Sequence, residues 1–151
     1  DHTETFGSLH RVLSELGAKN LLKTLYNMNA REEILQNERF VSYAPKIKKL
    51  DAKLDFNSQA SDLEARIRGL APTPGAWFEY KKERFKVFSA EVVEGNGKAG
   101  SIINENLTIA CGKKALNILE IQRQGKGVMS VSDLLRGFKF KKGDNVNQST
   151  H

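Results

Sequence analysis

The stretch LAPTPGAWFEYKKERFKVFSAEVV, residues 70–93, marks a change of pattern along this chain. Upstream of Pro74 the apolar residues follow helical spacing, whereas downstream they fall in short runs separated by turns. Several short β-rich runs at such spacing are typical of a small barrel or sandwich. The sequence therefore predicts a mainly β fold with flanking helices, with strands over residues 76–80, 84–93, 99–104, 107–111 and 115–122.

Two helices are predicted to flank these strands. The buried stripe of the first consists of Leu63, Ile67 and Leu70. This helix begins either at residues 55–58, where Asp-Phe-Asn-Ser offers capping side chains, or at 61–64, where Ser-Asp-Leu-Glu fits a capping box. The second helix opens at Ser130 and ends near Gly137.

The N-terminal part, residues 1–39, is predicted to hold two further helices. The apolar residues of 9–16 follow helical spacing after Ser8, which can cap a helix. Those of 18–25 fall on nearly the opposite side if the same helix continues. We therefore expect a break at Gly17, with each half burying its own face.

The rest of the chain is predicted to divide into three parts. Residues 40–54 form an extended linker, because Pro45 disfavours helical geometry at the residue before it. Residues 55–138 form the packed β domain. Residues 139–151 form a tail that is basic, then polar, and disordered toward its end.

The composition indicates a globular protein, since 39% of the 151 residues are hydrophobic and 28% are charged. No run approaches the roughly 18 apolar residues of a membrane span, and the N-terminus lacks the apolar segment of a signal peptide. We therefore expect a soluble, cytoplasmic protein with no membrane partner. Cys111 is the single cysteine, which excludes an internal disulfide and a thiolate metal site, and it is predicted to be a small buried residue.

The positive charge is concentrated in the second half of the chain. Residues 1–75 have a net charge of +1, whereas residues 76–151 have +5 of the total of +6. Such a field concentrates polyanions and speeds their encounter with the protein, so a nucleic-acid partner is favoured over a small acidic molecule.

The basic residues of this half occur in clusters near predicted turns. A single lysine is most simply a solvated surface residue, but long basic side chains on turns can follow an RNA backbone without reading its bases. With the linker lysines, the predicted RNA contacts are Lys46, Lys48, Lys49, Lys81, Lys82, Arg84, Lys113, Lys114, Arg123 and Lys126. The segment RQGKG, residues 123–127, either lets a phosphate approach its glycines or is a tight structural turn.

Other motifs favour structural interpretations. The match to G-x-G-x-x-G at residues 95–100 is predicted to be a turn, because the dinucleotide fingerprint requires a helix after it and here a β run follows. Trp77 either anchors the core or stacks on a base, and its position at a strand start favours the core. The three histidines show no ligand spacing, so no metal site is predicted.

Six segments occur in an order that resembles one enzyme family. They are TFGSLH at 5–10, YAPKI at 43–47, IRGL at 67–70, PGAW at 74–77, AEVV at 90–93 and IQRQGKGVMS at 121–130. They resemble the last helices of the catalytic domain, the linker and the C-terminal domain of the methionyl-tRNA formyltransferase family. The resemblance implies an OB-like open β-barrel, preceded by two helices left from an α/β catalytic domain.

The resemblance also implies a function in translation initiation. The family transfers a formyl group from 10-formyltetrahydrofolate to the amino group of methionyl initiator tRNA. Its catalytic Asn, His and Asp have no match here, so this chain alone is expected to be inactive and to hold no cofactor. Its implied role is to bind and position the initiator tRNA and to contact the N-terminal catalytic domain of the same protein.

Two alternatives remain open from the sequence. The first is the C-terminal domain of another folate-dependent formyltransferase, because those enzymes share a related domain. The second is a structural β module whose positive charge is incidental and which binds no RNA.

Overall fold

A computed structural model describes residues 3–30 and 32–147. The helices are α1 (Phe6–Tyr26), α2 (Ala60–Leu70) and α3 (Val131–Leu135). The strands are β1 (Ala76–Tyr80), β2 (Glu83–Val93), β3 (Thr108–Ala110), β4 (Ala115–Arg123) and β5 (Val128–Ser130). Within these two ranges, no helix combines the length and the apolar character needed to cross a bilayer.

The five strands form one open antiparallel sheet in the order β1-β2-β4-β3, and β5 also pairs with β4. This confirms the mainly β class with flanking helices. The predicted strand over 99–104 is wrong, because Ser101 and Ile102 form only isolated bridges to two separate segments, at Asn145 and Ile109. The short β5 was not predicted.

The β1–β2 hairpin fixes the two faces of the sheet. Its two-residue turn, Lys81–Lys82, has positive φ at both positions, 51° and 65°, as a type I′ turn requires. The resulting register places Phe78 opposite Phe85 and Trp77 opposite Lys86. Because successive residues of a strand point to opposite faces, the fully buried phenylalanines lie on one face, and Trp77 and Lys86 share the other.

A β-bulge interrupts the pairing of β2 with β4 after Val87. Phe85 is fully buried and Phe88 is half-buried. The odd spacing of these two aromatic residues is incompatible with one face of a regular strand, and the bulge changes the direction of the side chains that follow it.

The hydrophobic core extends beyond the predicted bounds of 55–138. Ala52 and Leu54, in the predicted linker, are buried before α2. Phe140 and Val146, in the predicted tail, are buried as well. Phe140 and Val146 thus hold this segment against the sheet, and the last residues of the tail, 148–151, lie outside the described ranges.

The helix α1 is continuous, so the prediction of two helices broken at Gly17 is wrong. A glycine inside a helix costs only about 1 kcal/mol relative to alanine, which the flanking turns tolerate. The N-cap is Thr5 rather than Ser8, and the two side chains form a capping box. The apolar residues of the two halves lie on opposite sides of this one helix, and none of them is buried.

The helix α2 begins at Ala60, later than the first predicted start and before the second, and neither predicted cap forms. The backbone before it is engaged with the β3–β4 turn. The N–H of Gly112 donates to the carbonyls of Phe56 and Ser58, both at 2.9 Å, and the N–H of Ala60 donates to the carbonyl of Lys113. These long-range bonds, rather than a local capping motif, decide where the helix begins.

Candidate nucleic-acid interface

Trp77 is the centre of the basic surface at one end of the sheet. Its indole N–H donates to the carbonyl of Lys49 at 2.8 Å, and only 7% of the residue is exposed. The guanidinium of Arg84 lies 4.5 Å from the ring centroid, and Nζ of Lys53 lies 5.5 Å from it. The core interpretation of Trp77 is confirmed, and its ring holds two cations in place.

The strand register brings further polar side chains to the same face. Trp77 pairs with Lys86, and Lys86 pairs with Gln122, so the three residues form a row across β1, β2 and β4. Beside this row lies a shallow depression of about 260 Å³. Its lining consists of Arg84, Lys86, Gln122, Arg123, Gln124, Gly125 and Lys126.

We call Lys53, Arg84, Lys86 and Lys126 the Trp77 surface. Within the described part of the chain, none of these four forms an ion pair with a carboxylate. The lining of the depression contains no acidic residue and has two side-chain amides that can donate hydrogen bonds. Uncompensated cations beside amide donors form a favourable environment for a phosphate group.

The glycine loop, residues 124–127, borders the Trp77 surface. The N–H of Gln124 donates to the carbonyl of Arg84 at 3.1 Å, and the side-chain amide of Gln122 donates to the carbonyl of Lys126 at 2.7 Å. Gly125 has a φ of +75°, and a Cβ there would meet no atom within 4 Å. The loop is therefore a hydrogen-bonded turn whose glycine also leaves the surface open.

The lysines of the β1–β2 turn, Lys81 and Lys82, are exposed next to this surface. Left-handed backbone is costly for residues other than glycine and asparagine, so two consecutive lysines there are strained. Nζ of Lys81 lies 5.0 Å from the ring centroid of Tyr80. The turn thus displays both cations on a rigid support.

Two of the predicted contact residues are engaged in ion pairs. Arg123 binds the carboxylate of Glu83 through two hydrogen bonds, and its guanidinium lies 4.7 Å from the ring of Phe138. The hydrogen bond that Arg123 donates to Glu83 raises the pKa of Arg123 above its ordinary value. Lys114 pairs with Glu94 at 2.7 Å.

The structure does not gather all the predicted residues in one place. Lys113 and Lys114 precede β4, whereas Arg123 ends it. Since a strand rises about 3.3 Å per residue, roughly 26 Å of strand separates these two ends. Lys48 and Lys49 adjoin the Trp77 end, where the N–H of Lys48 donates to Asp51 and the carbonyl of Lys49 accepts from Trp77.

Lys46 precedes these two lysines in the linker and is exposed. Lys53 and Lys86 were not predicted as contact residues, although both belong to the Trp77 surface. The position of Lys86 follows from counting back from a two-residue turn at 81–82, which pairs it with Trp77. The position of Lys53 depends on a contact between linker and strand that has no local signal.

The cysteine and the described histidine lie apart from the Trp77 surface. Among the residues that the structure describes, no three His, Cys, Asp or Glu are grouped as metal ligands. Burial raises the pKa of Cys111 to about 11, so its thiol is protonated near neutral pH. This confirms the prediction that Cys111 is a buried residue. His10 is exposed on α1, and the two other histidines lie outside the described ranges.

The chain resembles known proteins in sequence over most of its length. The family described as formyl transferase, C-terminal domain, matches residues 46–139. The methionyl-tRNA formyltransferase of Paramagnetospirillum magneticum is 41% identical over 138 residues, which cover 89% of this chain and 45% of that protein. That of Ruegeria pomeroyi is 39% identical over 143 residues, which cover 95% of this chain and 48% of that protein. The chain thus spans about half the length of these relatives.

Solved structures of HypX from Aquifex aeolicus share the fold. A variant of HypX superposes with a TM-score of 0.63 at 18% identity, covering 94% of this chain and 28% of that one. HypX in complex with tetrahydrofolic acid gives a TM-score of 0.57 at 17% identity, covering 76% and 22%. These identities show the fold alone. By the family match and the identity to its relatives, this chain belongs to the formyl transferase C-terminal domain family and matches the C-terminal part of methionyl-tRNA formyltransferases.

Proposed function

We propose that this chain is the tRNA-binding part of a cytoplasmic methionyl-tRNA formyltransferase. The intact enzyme transfers a formyl group from 10-formyltetrahydrofolate to the amino group of methionyl initiator tRNA. This part holds the tRNA and is inactive alone, because folate binding and catalysis belong to the N-terminal domain. The open sheet with its flanking helices is an OB-like barrel in this proposal.

The observation that carries the proposal is the Trp77 surface. Its cations lie on one face of the sheet, close together and without carboxylate partners among the described residues. A surface with such a local excess of positive charge attracts a polyanion, and contacts to phosphates position the RNA without reading its sequence. The exposed turn lysines, Lys81 and Lys82, continue this surface.

The ion pairs divide the predicted residues into two groups in this proposal. Arg84, Lys126 and the lysines of the turn and linker are available to phosphates. Arg123 and Lys114 already hold carboxylates and contribute less to RNA binding. Lys113 lies at the far end of the sheet, where it would meet a different part of an extended RNA.

The helix α1 supports the second proposed partner, the catalytic domain. It is joined to the β domain where the N–H of Gly7 donates to the carbonyl of Ala71 at 3.0 Å. A Cβ on Gly7 would lie 2.6 Å from Cδ of Pro72, so the two segments touch closely. Its uncovered apolar sides fit a helix that packs against a domain lying upstream of this chain.

Equilibrium binding of an unmodified tRNA transcript to the 151-residue chain tests the function directly. We expect affinity that falls steeply with salt, because each neutralised phosphate releases counterions. Absence of binding at low salt would instead support the structural β module without RNA binding. A mixture with a catalytic half of a relative would show whether formylation requires the chain.

A further inference from the structure

A second basic surface lies around Tyr80, at the end of β1. Tyr80, three residues along the strand from Trp77, points to the opposite face and is buried. The segment 138–147 packs beside it, largely beyond the residues that match the family. We call Lys81, Lys98, Lys141 and Lys142 the tail surface.

The backbone that carries these lysines is held by several hydrogen bonds. The hydroxyl of Tyr80 donates to Asp144 at 2.7 Å and accepts from the N–H of Lys141 at 3.1 Å. The N–H of Gly143 donates to the carbonyl of Ile102 at 2.8 Å, which fixes the following turn. A cation on a fixed backbone loses less conformational entropy when it binds a ligand than one on a free tail.

The four lysines of the tail surface outnumber the two acidic residues beside them, Glu79 and Asp144. A depression of about 390 Å³ is lined by Glu79, Tyr80, Lys81, Lys98, Ser101, Gly143, Asp144 and Asn145. The carboxylate of Asp144 already accepts the hydroxyl of Tyr80. In the described ranges, none of the four lysines of the tail surface forms an ion pair.

We propose that the tail surface binds the phosphate backbone of the same tRNA, so that the RNA site continues around the β1–β2 turn onto the C-terminal segment. This inference rests on the proposed function. Lys81 connects the two surfaces, because it belongs to the turn that precedes Arg84 and its side chain lies over Tyr80. The partner is RNA because the surface offers four cations without ion pairs among the described residues, on three neighbouring turns, rather than an apolar groove.

The test measures tRNA affinity across a salt series for a triple variant, Lys98→Ala, Lys141→Ala and Lys142→Ala. The matched control removes the same charge from exposed positions of α1, by Arg11→Ala, Lys19→Ala and Lys23→Ala. We expect the slope of log affinity against log salt to become shallower by roughly 2 in the tail variant, at about 0.7 to 0.9 per phosphate contact. The control should keep the wild-type slope.

Equal slopes for the tail variant and the wild type would overturn the inference while leaving the proposed function standing. Equally reduced slopes in the tail variant and the α1 control would also overturn it, since the reduction would then reflect the net charge of the chain. If the wild type showed no salt-dependent binding, both proposals would fall. A second tail variant has glutamine instead of alanine at Lys98, Lys141 and Lys142. It keeps most of the side-chain length, so a weaker salt dependence in this variant cannot be due to altered packing.

Asp144 provides an independent check that leaves every lysine in place. Asp144→Asn keeps an acceptor for Tyr80 but removes a negative charge beside the proposed phosphate path. We expect about two- to threefold tighter binding at low salt, and less at high salt. Unchanged affinity would count against RNA contact at this surface.

Discussion

Arg123 on β4 and Glu83 on β2 form a bidentate ion pair, with Nε to Oε1 at 2.5 Å and a terminal nitrogen to Oε2 at 3.0 Å. The pair ties the strand end that leads into the glycine loop to the residue that follows the Lys81–Lys82 turn. The Lys81–Lys82 turn and the glycine loop, both proposed to contact RNA, are thus held together by Arg123. The sequence had predicted Arg123 to be an RNA contact itself.

Arg123→Ala should therefore lower the thermal unfolding midpoint and change the salt dependence of tRNA binding little. Glu83→Gln should lower the midpoint in the same direction, because it removes the carboxylate that accepts both hydrogen bonds. Thermal unfolding by circular dichroism, with tRNA titrations of both variants, measures the two effects. A loss of salt dependence in Arg123→Ala as large as in Arg84→Ala would assign Arg123 to direct phosphate contact.

The two lysines of the β1–β2 turn are expected to lower the stability of the chain and to strengthen tRNA binding. Replacing Lys81 by Asn and Lys82 by Gly supplies the residues that a type I′ turn favours, and should stabilise the chain by about 1 kcal/mol. The same change removes two exposed cations and should weaken tRNA binding. Urea unfolding and tRNA titration give the two quantities, and Lys81→Gln with Lys82→Gln is the control that removes charge but keeps the strain. Equal stabilities of the two variants would show that the backbone strain is negligible.

The buried thiol of Cys111 predicts a pH dependence at the alkaline end. Its pKa is raised from 9.0 to about 11 in the folded chain, so the folded state keeps its proton where the unfolded state loses it. The contribution of the protonated thiol to the free energy of unfolding is fully present below pH 9.0 and is lost as the pH rises toward about 11. Urea unfolding at several pH values should show a shallower decline for Cys111→Ala than for the wild type. Parallel declines would show that other groups account for the loss.

The uncovered helix α1 should make the isolated chain self-associate. Leu13 and Leu21 belong to opposite apolar sides and are 54% and 60% exposed. Leu13→Glu and Leu21→Glu should each shift the chain toward monomer in sedimentation, because a buried contact would leave the carboxylate without water. Glu15→Gln, at an exposed position of the same helix, should leave the association unchanged. A wild-type chain that sediments as a monomer at all concentrations would contradict this.

The parts of the fold with strong local signals could be predicted from the sequence. The strand 76–80 has its observed bounds, and Ser130 caps the last helix as its pattern with Asp133 indicates. The parts that failed depend on distant contacts. Gly112 engages the backbone before α2, and Phe140 is buried against Phe85 although its local sequence is that of a basic tail.

In the candidate site, too, features with a local sequence signal could be predicted and features that depend on distant contacts could not. Clusters of basic residues at turns were visible in the sequence, but their separation along β4 and the ion pair of Arg123 with Glu83 depend on strand register. The position of Lys86 could have been predicted, because the two-residue turn places it opposite Trp77. The position of Lys53 could not, because only the path of the linker brings it to the indole ring.

The salt dependence of tRNA binding for Arg84→Ala combined with Lys86→Ala decides whether the Trp77 surface is the RNA site. The Trp77 surface and the adjoining turn should contribute about −3 to −4 to the wild-type slope of log affinity against log salt, from roughly four phosphate contacts, and the tail surface should contribute the remainder. The double variant should be shallower by about 1.5, while Lys19→Ala with Lys23→Ala on α1 should match the wild type. If the Arg84 and Lys86 variant and the α1 variant gave the same slope as the wild type, the Trp77 surface would not be the RNA site.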